Sequence, residues 1–541
     1  MPLMSSADDS LTAAQARVVA LRVSLGALQS GPVELVETHL SWVLLTDRHA
    51  YKLKKPLQLP FVDFSTLAAR RHFCQEELRL NRRLAPSVYL NVVEVRDCVD
   101  GPVFGGDGPL LDVAVKMRRF DDSALWSARL AAGDLASSDV DQLAQRLADF
   151  HRDAAVASVQ SGFGSPAVHE RVTGRLIDAI DAWHAGHAAA AATARDWPVL
   201  REWLHEQRLA LAPRFEARRR DGRVRECHGD LHLANLLQLG NEATAFDGIE
   251  FDPELRWIDV MNDIAFVAMD LMAHNERGLA FRFVDAYLEA TGDHDGLPAF
   301  RFYLAGRALV RALVAAIAET QGRHAPSGLG TADYLALAMR LSRETDARLA
   351  ITHGLPGAGK SFVSRGLLEA AGAIRVRSDV ERKRLFGLGA LQSSKGLVTA
   401  AIYDSESTSR TYARVLEVAR VALVAGWPVI VDAAFLLAAE RSNFAALAKE
   451  LCVPFNILDC RAALPLLRER LEQRELKGGD ASEADVAVLE RLRAVTEPLT
   501  KAERILAIAI DAGQPLSAAA LAERWRALAA QGSTNVGVPQ A

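Results

Sequence analysis

A chain of 541 residues is too long for one ordinary core, so two or three domains are expected. Half of the residues are hydrophobic and 24% are charged, the balance of a folded protein; a formal net charge of −5 argues against a nucleic-acid backbone as the main partner. Five scattered cysteines with no Cys-x-x-Cys pair point away from a disulfide framework or a zinc site and suit a reducing cytoplasm.

Met1 to Ser10 is polar and acidic, unlike a secretory signal, and no uncharged apolar run reaches the roughly 18 residues of a membrane helix. A cytosolic protein without a membrane partner is therefore expected. Val33 to Leu45 reads as one or two strands, broken by Asp47-Arg48-His49 before a further strand from Ala50 to Lys54. Alternation along that strand puts Lys52 and Lys54 on one face. Leu67 to Leu84 has helical periodicity and ends at Ala85-Pro86, and Val92 to Arg96 and Asp112 to Met117 complete a small sheet with one helix.

Helix formers dominate from Leu125 to Leu211, including an alanine-rich stretch at Ala188 to Ala194 that reads as amphipathic helix. The strands Leu236 to Leu239 and Ala243 to Phe246 flank a turn at Gly240-Asn241, and helices resume from Ile258 to about Arg348. At Ala347-Arg348-Leu349 the pattern changes to alternating strand and helix, which places a domain boundary near Arg343. Leu349 to His353, Ile374 to Arg377, Pro428 to Val431, Pro454 to Asp459 and Arg504 to Ile510 read as strands of a parallel sheet. The expected domains are 1–345, with a β-rich lobe over about 30–120 and a helical lobe over about 121–345, then 346–530, with a disordered tail at 531–541.

Cys227-His228-Gly229-Asp230-Leu231-His232-Leu233-Ala234-Asn235, followed by Phe246-Asp247-Gly248, carries the first chemical signal. An aspartate, an asparagine five residues on and another aspartate after a hairpin are what metal-dependent phosphoryl transfer uses. Asp230 is the candidate to accept the proton of an acceptor hydroxyl; Asn235 and Asp247 are candidate Mg²⁺ ligands, being hard oxygen donors. Such a site also needs a lysine for the phosphates and a helical glutamate to hold it: Lys52, with Lys54 in reserve, and Glu76 in preference to Glu77 fill these places. This region, roughly Val33 to Arg343, resembles the aminoglycoside phosphotransferase and choline kinase group, which implies an α+β protein-kinase-like domain. It departs from kinases in one respect: Glu37 to Leu45 has no glycine to lay over the phosphates.

The second signal is Gly354-Leu355-Pro356-Gly357-Ala358-Gly359-Lys360-Ser361, a complete G-x-x-x-x-G-K-[ST] loop between a strand and a helix. Gly354, Gly357 and Gly359 let backbone N–H groups face phosphate oxygens, Lys360 reaches the β and γ phosphates, and Ser361 offers its hydroxyl to Mg²⁺. Asp379 and Asp432 close the next two strands on the same edge, Asp379 as candidate base for the acceptor hydroxyl, Asp432 for Mg²⁺. Capping a helix is the competing role, above all for Asp379. Arg470 and Arg474 lie on a charged helix before Lys477-Gly478-Gly479-Asp480 and form a candidate lid over the triphosphate. Leu349 to about Leu528 resembles the P-loop kinases of the gluconate kinase, zeta toxin and polynucleotide kinase group, which implies an α/β P-loop NTPase domain with a parallel sheet.

Taken whole, the chain resembles bifunctional proteins that join an aminoglycoside-phosphotransferase-like domain to an ATP-binding P-loop domain. The expected function is ATP- and Mg²⁺-dependent phosphoryl transfer to hydroxyls of small molecules at two sites. The competing expectations are a regulatory P-loop ATPase fused to a degenerate kinase-like binding module, and an aminoglycoside-modifying enzyme using Glu250, Asp252 and Glu254 against a cationic substrate.

Overall fold

The computed structural model describes residues 10–28, 31–59, 62–186, 195–320, 322, 328–392, 402, 404–477 and 481–533. The alanine-rich stretch at 188–194, the glycines at 478–479 and residues 534–541 of the expected tail lie outside the described residues. Residues 531–533, expected in the disordered tail, instead continue the helix Ala518–Ser533.

Two compact units make up the chain, one of residues 1–172 and 212–267, the other of residues 173–211 and 268–541. The first unit begins with α1 (Leu11–Leu28), β1 (Glu34–Glu37), β2 (Ser41–Leu45), β3 (His49–Lys54) and α2 (Leu67–Asn81). After these come β4 (Tyr89–Cys98), β5 (Gly101–Phe104) and β6 (Leu110–Arg118), and the strands form one antiparallel sheet in the order β1-β2-β3-β6-β4-β5. The hairpin β1–β2 turns without glycine because the Thr38 hydroxyl accepts from Ser41 N at 3.0 Å, while Lys55 ties the turn to Glu37 at 2.7 Å.

Helix α1 has the 18-residue length and the mean hydropathy, 1.2, of a membrane span. Its apolar face nevertheless belongs to the sheet: Ala14, Val18, Leu21 and Leu25 join Trp42, Leu44, Tyr51, Leu53 and Val95 in one core. Arg17 and Arg22 break the apolar run, and both are used. Arg17 pairs with Asp112 at 2.9 Å and Arg22 donates to Val33 O at 2.7 Å. Asp112 also receives the buried Arg70 of α2 at 2.9 Å, so one carboxylate fastens α1 and α2 to β6. Leu21 is fully buried, and Leu21→Ala is expected to cost about 2–5 kcal/mol in a denaturant titration. A helix held only by a membrane would show no such loss in aqueous buffer.

Helix α3 (Ser137–Asp153) and the hairpin β7 (Leu236–Leu239) and β8 (Glu242–Ala245) complete the part of this unit that carries the first site. Within it, Asp263 is fully buried and accepts from His151 Nε2 at 3.0 Å and from the backbone N–H groups of His228 at 3.1 Å and Gly229 at 2.8 Å. It thereby fixes the loop that leads to Asp230, a structural role.

The second unit contains α4 (Arg277–Thr291), α5 (Leu297–Thr320), α6 (Thr331–Arg343), β9 (Leu349–His353) and α7 (Lys360–Ala371). It continues with β10 (Ile374–Arg377), α8 (Ser378–Leu385), β11 (Val429–Asp432), β12 (Phe455–Arg461), α9 (Leu464–Lys477) and β13 (Ala507–Asp511). The five strands are all parallel, in the order β10-β11-β9-β12-β13. Three of them, β9, β10 and β11, are buried at every residue, as strands inside a parallel sheet are. The two units divide the chain elsewhere than at residue 345. Arg375 of β10 is enclosed and meets Asp285 at 2.6 Å and Glu289 at 3.0 Å on α4, and Trp427 Nε1 donates to Leu297 O at 3.2 Å. Helices α4 and α5 therefore share one interior with the parallel sheet.

Candidate functional sites

In the first unit the lysine strand, the glutamate helix and the Asp/Asn/Asp loops converge. Lys52 Nζ lies 2.5 Å from Asp247 Oδ1 and 2.9 Å from Glu77 Oε1. Lys54, its neighbour on the same face of β3, meets the other oxygen of Glu77 at 2.7 Å and pairs with Glu250. The expected partner Glu76 is not there: it points to Arg79, 2.8 Å away on its own helix. A helix turns about 100° per residue, so adjacent glutamates face different ways. The stripe of α2 that faces inward includes Arg70, Cys74, Glu77 and Asn81, a 4-3-4 spacing whose inward face is fixed by packing.

Burial alone would raise the Glu77 carboxyl, but Lys52 and Lys54 outweigh it and hold the group down at about 2. Burial likewise disfavours the Lys52 charge, yet Asp247 and Glu77 keep its pKa above the ordinary lysine value. Both lysines are thus charged, one facing Asp247 and one locked inside. The Lys54–Glu250 pair also draws the segment after Asp247 toward α2.

Asp247 has φ 62° and its N–H donates to Tyr89 Oη at 3.2 Å; the next N–H, of Gly248, donates to Asn81 Oδ1 at 2.8 Å. His228 Nε2 lies 2.9 Å from Phe246 O and joins the two loops. Asn235 donates through Nδ2 to Asp230 O and to Asp230 Oδ2, both at 3.0 Å, which leaves its Oδ1 as an oxygen donor. His232 Nε2 lies 3.4 Å from the same Asp230 oxygen. The side chains of Asp230 and Asp247 are 31% and 41% exposed, open to solvent in an otherwise buried constellation. Asn235 Oδ1 and the Asp247 carboxylate are a hard-oxygen pair suited to Mg²⁺.

The carboxylates expected for an aminoglycoside are already engaged. Glu250 is buried with Lys54, Asp252 caps a short helix by accepting from Glu254 N at 2.8 Å, and Glu254 pairs with Arg171 at 2.5 Å.

In the second unit β9 runs into the glycine loop and α7 starts at Lys360. Gly354 has φ 142°, and a Cβ there would sit 2.4 Å from Cys460 O, so the loop admits only glycine at its first position. Gly357 and Gly359 also have positive φ, at 82° and 80°. No side chain caps the start of α7, which leaves its first N–H groups available to an anion. Lys360 Nζ donates to Gly354 O at 2.9 Å and Leu355 O at 3.0 Å, folded onto the loop. Burial lowers its pKa, opposed by Asp432 and, less strongly, Asp379.

Asp432 ends β11, accepts from Ser364 Oγ at 3.1 Å and lies 3.7 Å from Arg377 Nε. The Ser361 hydroxyl has no hydrogen-bond partner among the described residues, so it and Asp432 offer the oxygen donors expected for Mg²⁺. Asp379 stands in the first turn of α8, whose N-cap position is Arg377, so capping is not its role. Arg470 of α9 donates to Gly357 O at 3.3 Å and Ala512 O at 2.7 Å, against the loop, whereas Arg474 donates to Ala484 O. Arg470 is thus a lid arginine in contact with the glycine loop. Sequence reasoning missed Arg377, which bridges Asp432 and, at 3.4 Å, Glu289 of α4; no local motif announces a contact that depends on a helix some ninety residues away.

Residues 349–499 match the family model described as an AAA domain. Together with the glycine loop and strand order this makes the C-terminal part a P-loop domain. An uncharacterized protein of Mycobacterium tuberculosis is 29% identical over 469 residues, 84% of this chain and 89% of its own. Among solved structures, an ethanolamine kinase of Plasmodium vivax aligns over 61% of this chain and 87% of its own, with 9% identity and a TM-score of 0.37. A gluconokinase of Sinorhizobium meliloti aligns over 36% and 97%, with 18% identity and a TM-score of 0.25.

Proposed function

We propose that the chain is a cytosolic phosphotransferase with two ATP sites, each passing the γ-phosphoryl group to a hydroxyl of a small molecule. The observation that carries this reading is the meeting of Lys52 with Asp247 at 2.5 Å while Glu77 holds the lysine from behind. On this reading a phosphate-binding cation and a metal-binding carboxylate meet at one point. In the first site Lys52 grips the phosphates, Asn235 and Asp247 hold Mg²⁺, and Asp230 orients the acceptor hydroxyl and takes its proton. In the second, the loop N–H groups and Lys360 cradle the phosphates, Ser361 and Asp432 hold Mg²⁺, Asp379 takes the acceptor proton, and Arg470 faces the transferring group. Bound Mg²⁺ supplies neutralisation of the phosphate charge that develops during transfer.

The test is incubation of the intact chain with γ-labelled ATP and a pooled metabolite extract. Labelled small molecules are expected from the wild type, a subset from Lys360→Ala, a different subset from Asp230→Asn, and none from the double variant. Hydrolysis of ATP with no labelled metabolite in any of these reactions overturns the reading. Lys360→Ala is further expected to remove one of two equivalents of a non-hydrolysable ATP analogue in calorimetry, with the other retained.

A further inference from the structure

At the edge of the parallel sheet opposite the glycine loop, a cavity of about 420 Å³ opens next to the starts of β9 and β11. Asp346, Gly426, Trp427 and Pro428 form its floor, and Ala371, the last residue of α7, borders it. Four arginines line it, one from each of four helices: Arg277, Arg301, Arg340 and Arg526.

Their charges are not balanced. Glu344 serves both Arg277, at 3.0 Å, and Arg340, at 3.9 Å. Asp346, the other acid in the lining, pairs with Arg348 outside it. Arg301 has no carboxylate partner among the described residues. Its Nη2 donates to Gly426 O at 3.3 Å and its guanidinium lies 4.3 Å above the centroid of the buried Trp427 ring. Burial pushes its pKa down to about 10, more than the nearby Glu344 offsets. Arg526 makes one bond, to Ala370 O at 3.4 Å, and likewise has no acidic partner among the described residues.

An arginine fork held flat on an indole is fixed in direction and cannot swing to water as a lysine can. Holding it in a half-buried cavity whose nearest acid, Glu344, is already paired with Arg277 and Arg340 costs free energy, which a bound oxyanion recovers through two charge-assisted hydrogen bonds. Trp427 is fully covered, its ring already occupied by Arg301, so the cavity has no open aromatic face on which a nucleobase would stack. We propose that this cavity is a second, non-catalytic binding site for a small polyanionic metabolite, whose phosphate or carboxylate groups are gripped by Arg301 and Arg526 with Arg277 and Arg340 at the rim.

The experiment uses the full-length Lys360→Ala chain in a metal chelator, so that neither nucleotide site takes up the probe through the loop lysine or through Mg²⁺. Pyrophosphate and citrate are titrated separately by calorimetry. One saturable site is expected for at least one probe, and the tighter probe tells phosphate from carboxylate recognition. Adding Arg301→Met is expected to weaken that binding at least tenfold, and Arg526→Ala, at an exposed position, several-fold. Absence of saturable binding by both probes overturns the proposal, as does an affinity unchanged by Arg301→Met. Should Arg301→Met not fold, as judged by circular dichroism, an unchanged affinity in Arg526→Ala overturns it and a weakened one supports it.

Discussion

Asp230→Asn is expected to slow transfer at the first site about 10²–10⁴-fold, the usual contribution of a positioned general base, with stability within about 0.5 kcal/mol of the wild type. The isosteric amide can still present its oxygen to Asn235 Nδ2, which now donates to Asp230 at 3.0 Å, so the loop keeps its shape. What is lost is the capacity to take a proton. Lys52, Asn235 and Asp247 remain, so KM for ATP should stay near the wild-type value while kcat falls. The measurement is the initial rate with labelled ATP and an identified acceptor in the Lys360→Ala background, where the second site is silent. An unchanged kcat would remove Asp230 from the role of base.

Glu77→Ala is expected to cost about 3–5 kcal/mol, because it removes the carboxylate that the buried Lys52 and Lys54 share and leaves each with one acidic partner, Asp247 and Glu250. Nucleotide binding at the first site should fall with it, since Lys52 loses its anchor. Glu76→Ala breaks a pair on the helix surface and should cost at most about 1 kcal/mol. Urea titration of both variants, with nucleotide titration in the Lys360→Ala background, separates the two glutamates; a larger loss for Glu76 would reverse the assignment. A pH dependence follows as well. The folded-state pKa of Glu77 is held at about 2, below its ordinary 4.5. Its contribution to stability is therefore complete above pH 4.5 and drains away as the pH falls toward about 2. Glu77→Gln should flatten the loss of stability across that acid range.

The glutamate assignment shows where the sequence stops being sufficient. That a helix from Leu67 carries the partner of the lysine was legible from its periodicity, and that Lys52 and Lys54 share a face was legible from strand alternation. Which of two adjacent glutamates faces the sheet depends on the rotation of α2 about its axis, and packing fixes that rotation: Arg70 is drawn to Asp112 and Cys74 is buried. The same limit applies to Glu250, whose place beside Lys54 arises across 196 residues of sequence. No local pattern encodes it.

By itself, the sequence determined the glycine loop with its lysine, the order of the five parallel strands along the chain, and the Asp230, Asn235 and Asp247 set. These are local signals, because backbone curvature, strand alternation and short spacings are dictated by neighbours in the chain. Only the tertiary structure decided that Glu77 rather than Glu76 holds the lysine, that α4 and α5 share an interior with the P-loop sheet, and that α1 packs its apolar face in a protein core. Each of these turns on where a buried charge or apolar face finds its partner, and such partners are chosen by desolvation across long separations in sequence.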